Sequence, residues 1–248
     1  MKTLITVLIT LTALYSFAQE NSDSEIQKFQ IGVNFSPDVC YRTLKLTDEG
    51  ATYFNSVVNP EWIVDYRNDL EIIKLGYSAG VHVNYNLNRK FGIQAGLEFA
   101  NKGYQTKKVD LIYPQPNKPA PSFPNQAKNV FNYMYLDIPI RVNLTLGSKK
   151  IRFISSLGIT TNVFLFESVK SVKYYSDRTE RDTQVGTLTY NRINISPTAS
   201  IGIDYKINSR MNLRVEPTIR YGLLQIIDAP ITAHLFNGGV NMSCFFSL

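Results

Sequence analysis

Between Arg192 and Ile207 the chain reads RINISPTASIGIDYKI. The odd positions Ile193, Ile195, Pro197, Ala199, Ile201, Ile203, Tyr205 and Ile207 are apolar, and the even positions are polar, charged or small. Side chains of a β-strand point alternately to its two faces, so this segment is a ribbon with one apolar and one polar side. The charged residues of the stretch, Arg192, Asp204 and Lys206, all avoid the apolar side.

Seven further stretches repeat the pattern: 29–36, 72–87, 91–99, 136–146, 151–165, 211–223 and 236–248. Their apolar sets include Ile138, Val142 and Leu144 in the fourth, and none carries a charge. Most exceed the roughly 9 to 11 residues that a tilted strand needs to cross a bilayer. The connections alternate in length. Residues 88–90, 147–150 and 208–210 are tight, Asn-, Gly- and Ser-rich turns, whereas 37–71, 103–129, 168–190 and 225–233 are longer excursions. Eight strands joined in this way read as an all-β, eight-stranded antiparallel transmembrane barrel with its apolar side towards lipid.

The amino terminus supplies an address. Lys2 is followed by an apolar run over 4–14 and by Ser16-Phe17-Ala18, a pattern of a cleaved export signal and too short to span a membrane. The expected division is a signal segment at 1–18, a short periplasmic segment at 19–28, and a barrel at 29–248 in the outer membrane. The residue immediately after the cut is Gln19 and not a cysteine, which argues against a lipoprotein. The finish on Phe246 and Leu248 suits recognition by the barrel-assembly machinery.

The net charge of +6 is scattered over strands and turns, with no dense basic patch interleaved with aromatics, which argues against nucleic acid as a partner. Cys40 falls just past the first strand and Cys244 near the end of the last, so two free thiols are expected, Cys244 among lipid tails.

The inward parity holds Glu98, Asp137, Asp204 and Glu216 together with Arg141, Arg152, Arg214 and Arg220. An eight-stranded lumen is filled by side chains, so these charges should pair across strands, with Glu98 to Arg141 and Asp204 to Arg214 as candidate pairs. The alternative is a small gated pore. Glycines at 32, 76, 80, 92, 96, 158, 202, 222 and 239 share that parity, suiting a crowded interior. Pro139 points inward, Pro197 and Pro217 outward, and bulges are expected at all three.

Chemistry is sparse. The only histidines, His82 and His234, fall outside the lipid-facing set, and no metal spacing, phosphate loop or nucleophile elbow occurs. The expectation is therefore no enzyme and no cofactor. Two loop features stand out: the Pro-rich stretch 113–124, and Trp62 beside Ile63, Val64 and Tyr66, a candidate contact for a protein partner or ligand.

The segments FGIQAGLEFANKGY, Phe91 to Tyr104, and YLDIPIR, Tyr135 to Arg141, resemble the outer-membrane barrel domain of the PorT family of Bacteroidetes. The resemblance spans about residues 29–248. It implies an eight-stranded barrel that accommodates Pro139, brings no catalytic residues, and raises a role beside a secretion machinery as one alternative. A structural or partner-binding barrel is the leading expectation; a secreted soluble β-barrel binding protein is the other.

Overall fold

A computed structural model describes residues 28–48, 52, 59–113, 123–186 and 188–248. The expected signal segment, almost all of the short segment after it, and most of the Pro-rich stretch lie outside the described residues.

Eight strands close into a ring. They are β1 (Phe29–Leu46), β3 (Lys74–Asn86), β4 (Phe91–Thr106), β6 (Gln126–Leu146), β7 (Ile151–Tyr174), β9 (Ile193–Lys206), β10 (Met211–Tyr221) and β11 (Ile231–Ser247). Each pairs antiparallel with its chain neighbours in the ring, and β1 pairs β11 to close it. A helix, α1 (Pro60–Leu70), and the short strands β2 (Glu71–Ile72), β5 (Val109–Asp110) and β8 (Thr179–Val185) decorate one end.

The register fixes the tilt. Stepping across paired residues from Gln30 passes Asn84, Gln94, Arg141, Gly158, Thr198, Arg220 and Asn237 and returns to β1 at Cys40, ten residues on. With strands about 4.8 Å apart and about 3.3 Å per residue, that offset inclines them by about 40°.

The polarity is inverted relative to a protein folded in water. Buried side chains are mostly polar or charged, whereas Ile31, Val33, Ile140, Val142, Ile159, Ile201, Ile203 and Ile219 are exposed on the outside. No aqueous fold leaves an apolar wall of that extent uncovered, and lipid is the solvent that suits it. Phe29, Tyr85, Phe153, Tyr205 and Phe246 ring the wall near the tight turns, the position of an interfacial girdle.

Asn88 and Asn208 close their turns through side-chain oxygens. Asn88 Oδ1 accepts from the N–H of Lys90 and of Phe91, both at 2.8 Å, and Asn208 Oδ1 from that of Arg210 at 2.9 Å.

At the opposite end the strands outrun the sequence expectation. The β1 strand continues through Pro37 to Leu46, because Asp38, Cys40 and Arg42 keep the inward parity beyond the proline. The β6 and β7 strands reach 21 and 24 residues, so β7 rises about 60 Å, more than twice a roughly 25 Å apolar band. Much of what reads as loop is thus barrel wall standing above the membrane.

The bulges expected at Pro139, Pro197 and Pro217 do not form. Pro139 pairs with Thr160, Pro197 with Ile159 and Pro217 with Val240. On the other side of Pro139 the β4–β6 ladder skips two pairs and resumes in the same register, and the β9–β10 ladder does so beside Pro217. A residue in an antiparallel strand donates its N–H to one neighbour only, so a proline interrupts one ladder and leaves the other intact. The ladder shifts elsewhere: between Met134 and Tyr135, opposite Phe166 and Phe164, where Leu165 is an extra residue on β7.

Cys40 lies within β1, fully buried opposite Asn237, rather than past the strand end. Cys244 is on the outward parity of β11, seven residues from Asn237 or about 23 Å along the strand. Both thiols are free.

Candidate functional site

The inward charges form a layered plug. Glu98 is its centre: its carboxylate accepts from Asn34 Nδ2 at 3.0 Å, lies 2.7 Å from His82 Nε2, and has Arg141 at 3.5 Å and Arg220 at 3.8 Å. The second nitrogen of His82 meets Gln94 at 2.9 Å, so both ring nitrogens are committed. Asp204 stands directly opposite Arg152 and Arg214 on its two neighbouring strands and pairs with both, Arg214 at 3.4 Å. Asp137 holds Lys102 at 2.8 Å and accepts from Asn162 at 2.7 Å. Glu216 accepts from the hydroxyls of Ser156 and Ser200 at 3.0 and 2.9 Å, and Arg220 reaches Asp38 at 3.6 Å.

Two of these contacts are the Glu98–Arg141 and Asp204–Arg214 pairs read from parity. The nearer partners are different ones, His82 for Glu98 and Arg152 for Asp204, each on the strand that flanks the acid from the other side. Such charges persist in a low-dielectric interior only when paired and hydrogen-bonded. Gly96 makes room for the arrangement, since a Cβ there would overlap the His82 ring. Within the plug the fully buried apolar side chains Ile154 and Phe245 break the polar parity, and Phe245 lies under the Arg214 guanidinium at 4.3 Å.

Ile138, Val142, Leu144, Ile201 and Ile203 sit on the outer wall. His234 joins that side as well: it shares the parity of Phe236, stacks on Tyr221 with centroids 6.3 Å apart and meets the Gly222 carbonyl at 3.2 Å. Its exclusion from the outward set, expected from sequence, fails because β11 starts at Ile231 and carries the outward parity back through it.

Above the plug the lumen turns aromatic. Ala100, Tyr104, Tyr133, Tyr135, Ala233 and Leu235 form a buried cluster, with Phe131, Phe164 and Tyr190 packed against it. Tyr104 stacks on Phe131 at 4.8 Å, and Tyr190 meets Phe164 at 5.0 Å and Tyr133 at 5.5 Å. Gly103 joins the two zones. Its φ of +139° and its approach to the Phe131 carbonyl admit no side chain, and it separates Lys102 of the plug from Tyr104 of the cluster.

On this aromatic floor opens a cavity of about 540 Å³. Tyr104, Phe131, Tyr133 and Tyr190 line one side, and Ile226, Ile227, Ile231 and Ala233 the other. Among the described residues two charged ones reach it, Glu167 and Arg67. Arg67, on α1, is held by Glu71 at 2.7 Å, and Glu71 in turn binds the buried Arg42 at 2.7 Å.

Glu167 owes its position to the ladder shift. Strict alternation from Val163 and Leu165 would put it on the outer wall; the extra residue leaves Leu165 and Phe166 both exposed and turns Glu167 inward, 5% exposed. Bulges commonly re-aim a side chain in this way beside functional sites. The shift lies eleven residues from the end of β6, roughly 28 Å above the tight turns and beyond the apolar band. Burial, and after it the neighbouring Glu167 carboxylate, push the Tyr190 hydroxyl well above its usual range, so it stays protonated. Gly186 closes over the group, where a Cβ would overlap Glu167 Oε2.

The family model described as outer membrane protein beta-barrel domain matches residues 17–228. The chain belongs to the outer-membrane β-barrel family. No curated protein matches it. Among solved structures, this outer-membrane barrel is similar to Neisserial surface protein A, at 8% identity over 89% of this chain and 97% of that one, TM-score 0.44. It is similar to OprG of Pseudomonas aeruginosa, at 10% over 90% and 100%, TM-score 0.48. It is also similar to the outer membrane protease OmpT of Escherichia coli, at 7% over 92% and 99%, TM-score 0.49. Membership rests on the family model.

Trp62 of the outer-membrane barrel is on α1, exposed and stacked on Tyr66 at 5.6 Å, and does not line the cavity. The helix is anchored by Pro60 and by Asn59, whose side chain accepts from the Glu61 N–H at 3.0 Å. Sequence reading missed Tyr104, Tyr133, Glu167 and Tyr190. Two signals were present: Tyr133 and Tyr135 share the parity of Asp137, and Glu167 puts a lone charge into an otherwise apolar outward series.

Proposed function

We propose that this outer-membrane barrel is a binding protein closed to flux, which takes a ligand in the blind cavity at its extracellular mouth. The observation that carries this reading is the stacking of three layers: the cavity, its aromatic floor, and the plug centred on Glu98. A cavity of that size with apolar walls and few polar groups is the usual form of a small-molecule site, and the packed lumen beneath leaves no passage through it.

The same geometry speaks against catalysis, because the imidazole of His82 is engaged at both nitrogens within the plug. The PorT-like residues are likewise accounted for by packing: Glu98 and Asp137 hold lumen cations, and Pro139 is accommodated by the ladder. They argue for a shared barrel interior rather than for a secretion surface. Export through the segment at 1–18 and insertion by the barrel-assembly machinery belong to this reading.

Reconstitution into planar bilayers tests it. The folded barrel should show no stepwise conductance, and a ligand added on the side of the long loops should bind without crossing. Regular single-channel steps would replace the binding reading with that of a gated pore.

A further inference from the structure

Most buried acids of this barrel sit against a cation. Glu71 has Arg42, Glu98 has Arg141 and Arg220, Asp137 has Lys102, Asp204 has Arg152 and Arg214, and Asp38 has Arg220. Glu216 is answered by two serine hydroxyls. Glu167 differs: it is equally buried, faces a cavity rather than a packed layer, and among the described residues has no lysine, arginine or histidine nitrogen within 4 Å. The titratable group it perturbs most directly from the cavity wall is the neutral Tyr190 hydroxyl. Arg67, the one cation lining the cavity among the described residues, is already committed to Glu71 and to the Tyr104 hydroxyl at 3.3 Å.

The cavity that Glu167 faces is also lined by the rings of Tyr104, Phe131, Tyr133 and Tyr190. Aromatic faces carry negative quadrupole density and attract organic cations, and a desolvated carboxylate adds a full opposite charge. We infer that the mouth cavity binds a compact organic cation, an amine or quaternary ammonium on an apolar or aromatic body, with its charge at Glu167 and its body between the tyrosines and Ile226, Ile227 and Ile231. This inference rests on the reading of the mouth as a binding site and adds the chemical class of the ligand. Three features built for no other evident purpose converge on it: the extra residue at Leu165 that turns the acid inward, the absence of a side chain at Gly186 that lets the wall close over it, and the lack of a protein cation to neutralise it.

The test is calorimetric titration of the full-length protein folded in a maltoside detergent, which has no charged head group. The probes are benzyltrimethylammonium, uncharged benzyl alcohol and anionic phenylacetate. Benzyltrimethylammonium should bind at least tenfold more tightly than either counterpart. Glu167→Gln should remove that preference while leaving the weaker binding of benzyl alcohol in place, and Tyr190→Leu should weaken the cation more than the alcohol. Glu180→Gln, on the exposed β7–β8 hairpin, should change nothing. Each variant is compared only if its unboiled form still migrates as a folded barrel, and Tyr190→Leu serves if Glu167→Gln does not fold. Equal binding of the three probes, or a preference that survives both variants, would overturn the cationic class and leave the binding site standing. No binding of any probe would overturn both.

Discussion

Tyr133 faces Glu167 across the β6–β7 ladder, and two residues further in Tyr135 faces Phe164; between these two pairs β7 holds one residue more than β6. The Tyr133–Glu167 pair marks where the polar plug and the membrane band end and the mouth begins. Everything on the outer side of it in β7 has exchanged faces relative to the sequence pattern below.

That exchange has a direct test in a background where Cys40 and Cys244 are serine. In an unbroken strand one of two consecutive residues points inward. Here Leu165→Cys and Phe166→Cys should both react with a maleimide at similar rates, since both are exposed, and Glu167→Cys should react much more slowly. Alternating rates across the three positions would mean that β7 has no extra residue there.

The plug predicts a stability effect centred on one residue. Glu98→Ala would leave Arg141 and Arg220 without their shared acid and His82 without its nearest partner. Removing one member of a buried pair typically costs about 3 to 5 kcal/mol because the remaining charge is stranded. Urea unfolding of the variant should show a clearly lower midpoint, and Glu98→Gln, which keeps hydrogen bonding to Asn34 within reach, should fall between. An unchanged midpoint for Glu98→Ala would show that the lumen charges are not coupled.

The wall gives the opposite kind of prediction. Ile201 and Ile138 lie on the outer face, and Ile201 is well exposed there. An arginine there at mid-depth costs about 2 to 4 kcal/mol. Ile201→Arg and Ile138→Arg should each sharply reduce the folded, fast-migrating form recovered from the outer-membrane fraction. Normal recovery of both would reverse the assignment of faces.

Period-two alternation made the barrel legible, because one slip of register would exchange every side chain between lumen and lipid and the pattern cannot drift. The same rule exposed Glu98, Arg141, Asp204 and Arg214 as inward before any contact was known. It failed where alternation itself is broken. Pro37 hid the continuation of β1, although Asp38, Cys40 and Arg42 carry the inward parity onward. The extra residue at Leu165 hid Glu167, because a bulge has no composition of its own. Tyr190 lies between strands, and only three-dimensional closure brings it to the cavity. His234 was misplaced because β11 begins earlier than its apolar run.

Gly103 offers the last test, at the seam between plug and mouth. Its φ of +139° is a conformation that side-chain-bearing residues rarely adopt, and a Cβ would overlap the carbonyl oxygen of Phe131 on the paired strand. Strain of this kind costs on the order of 1 to 3 kcal/mol. Relief would require β4 and β6 to separate locally, which moves Tyr104 away from Phe131 while leaving Glu98 and its partners, lower in the lumen, in place. Gly103→Ala should therefore lower the temperature at which the compact unboiled form is lost and should weaken ligand binding at the mouth. Recordings in planar bilayers should stay silent, because the plug is intact. If the variant instead conducts, the aromatic floor rather than the charge network is what seals the barrel.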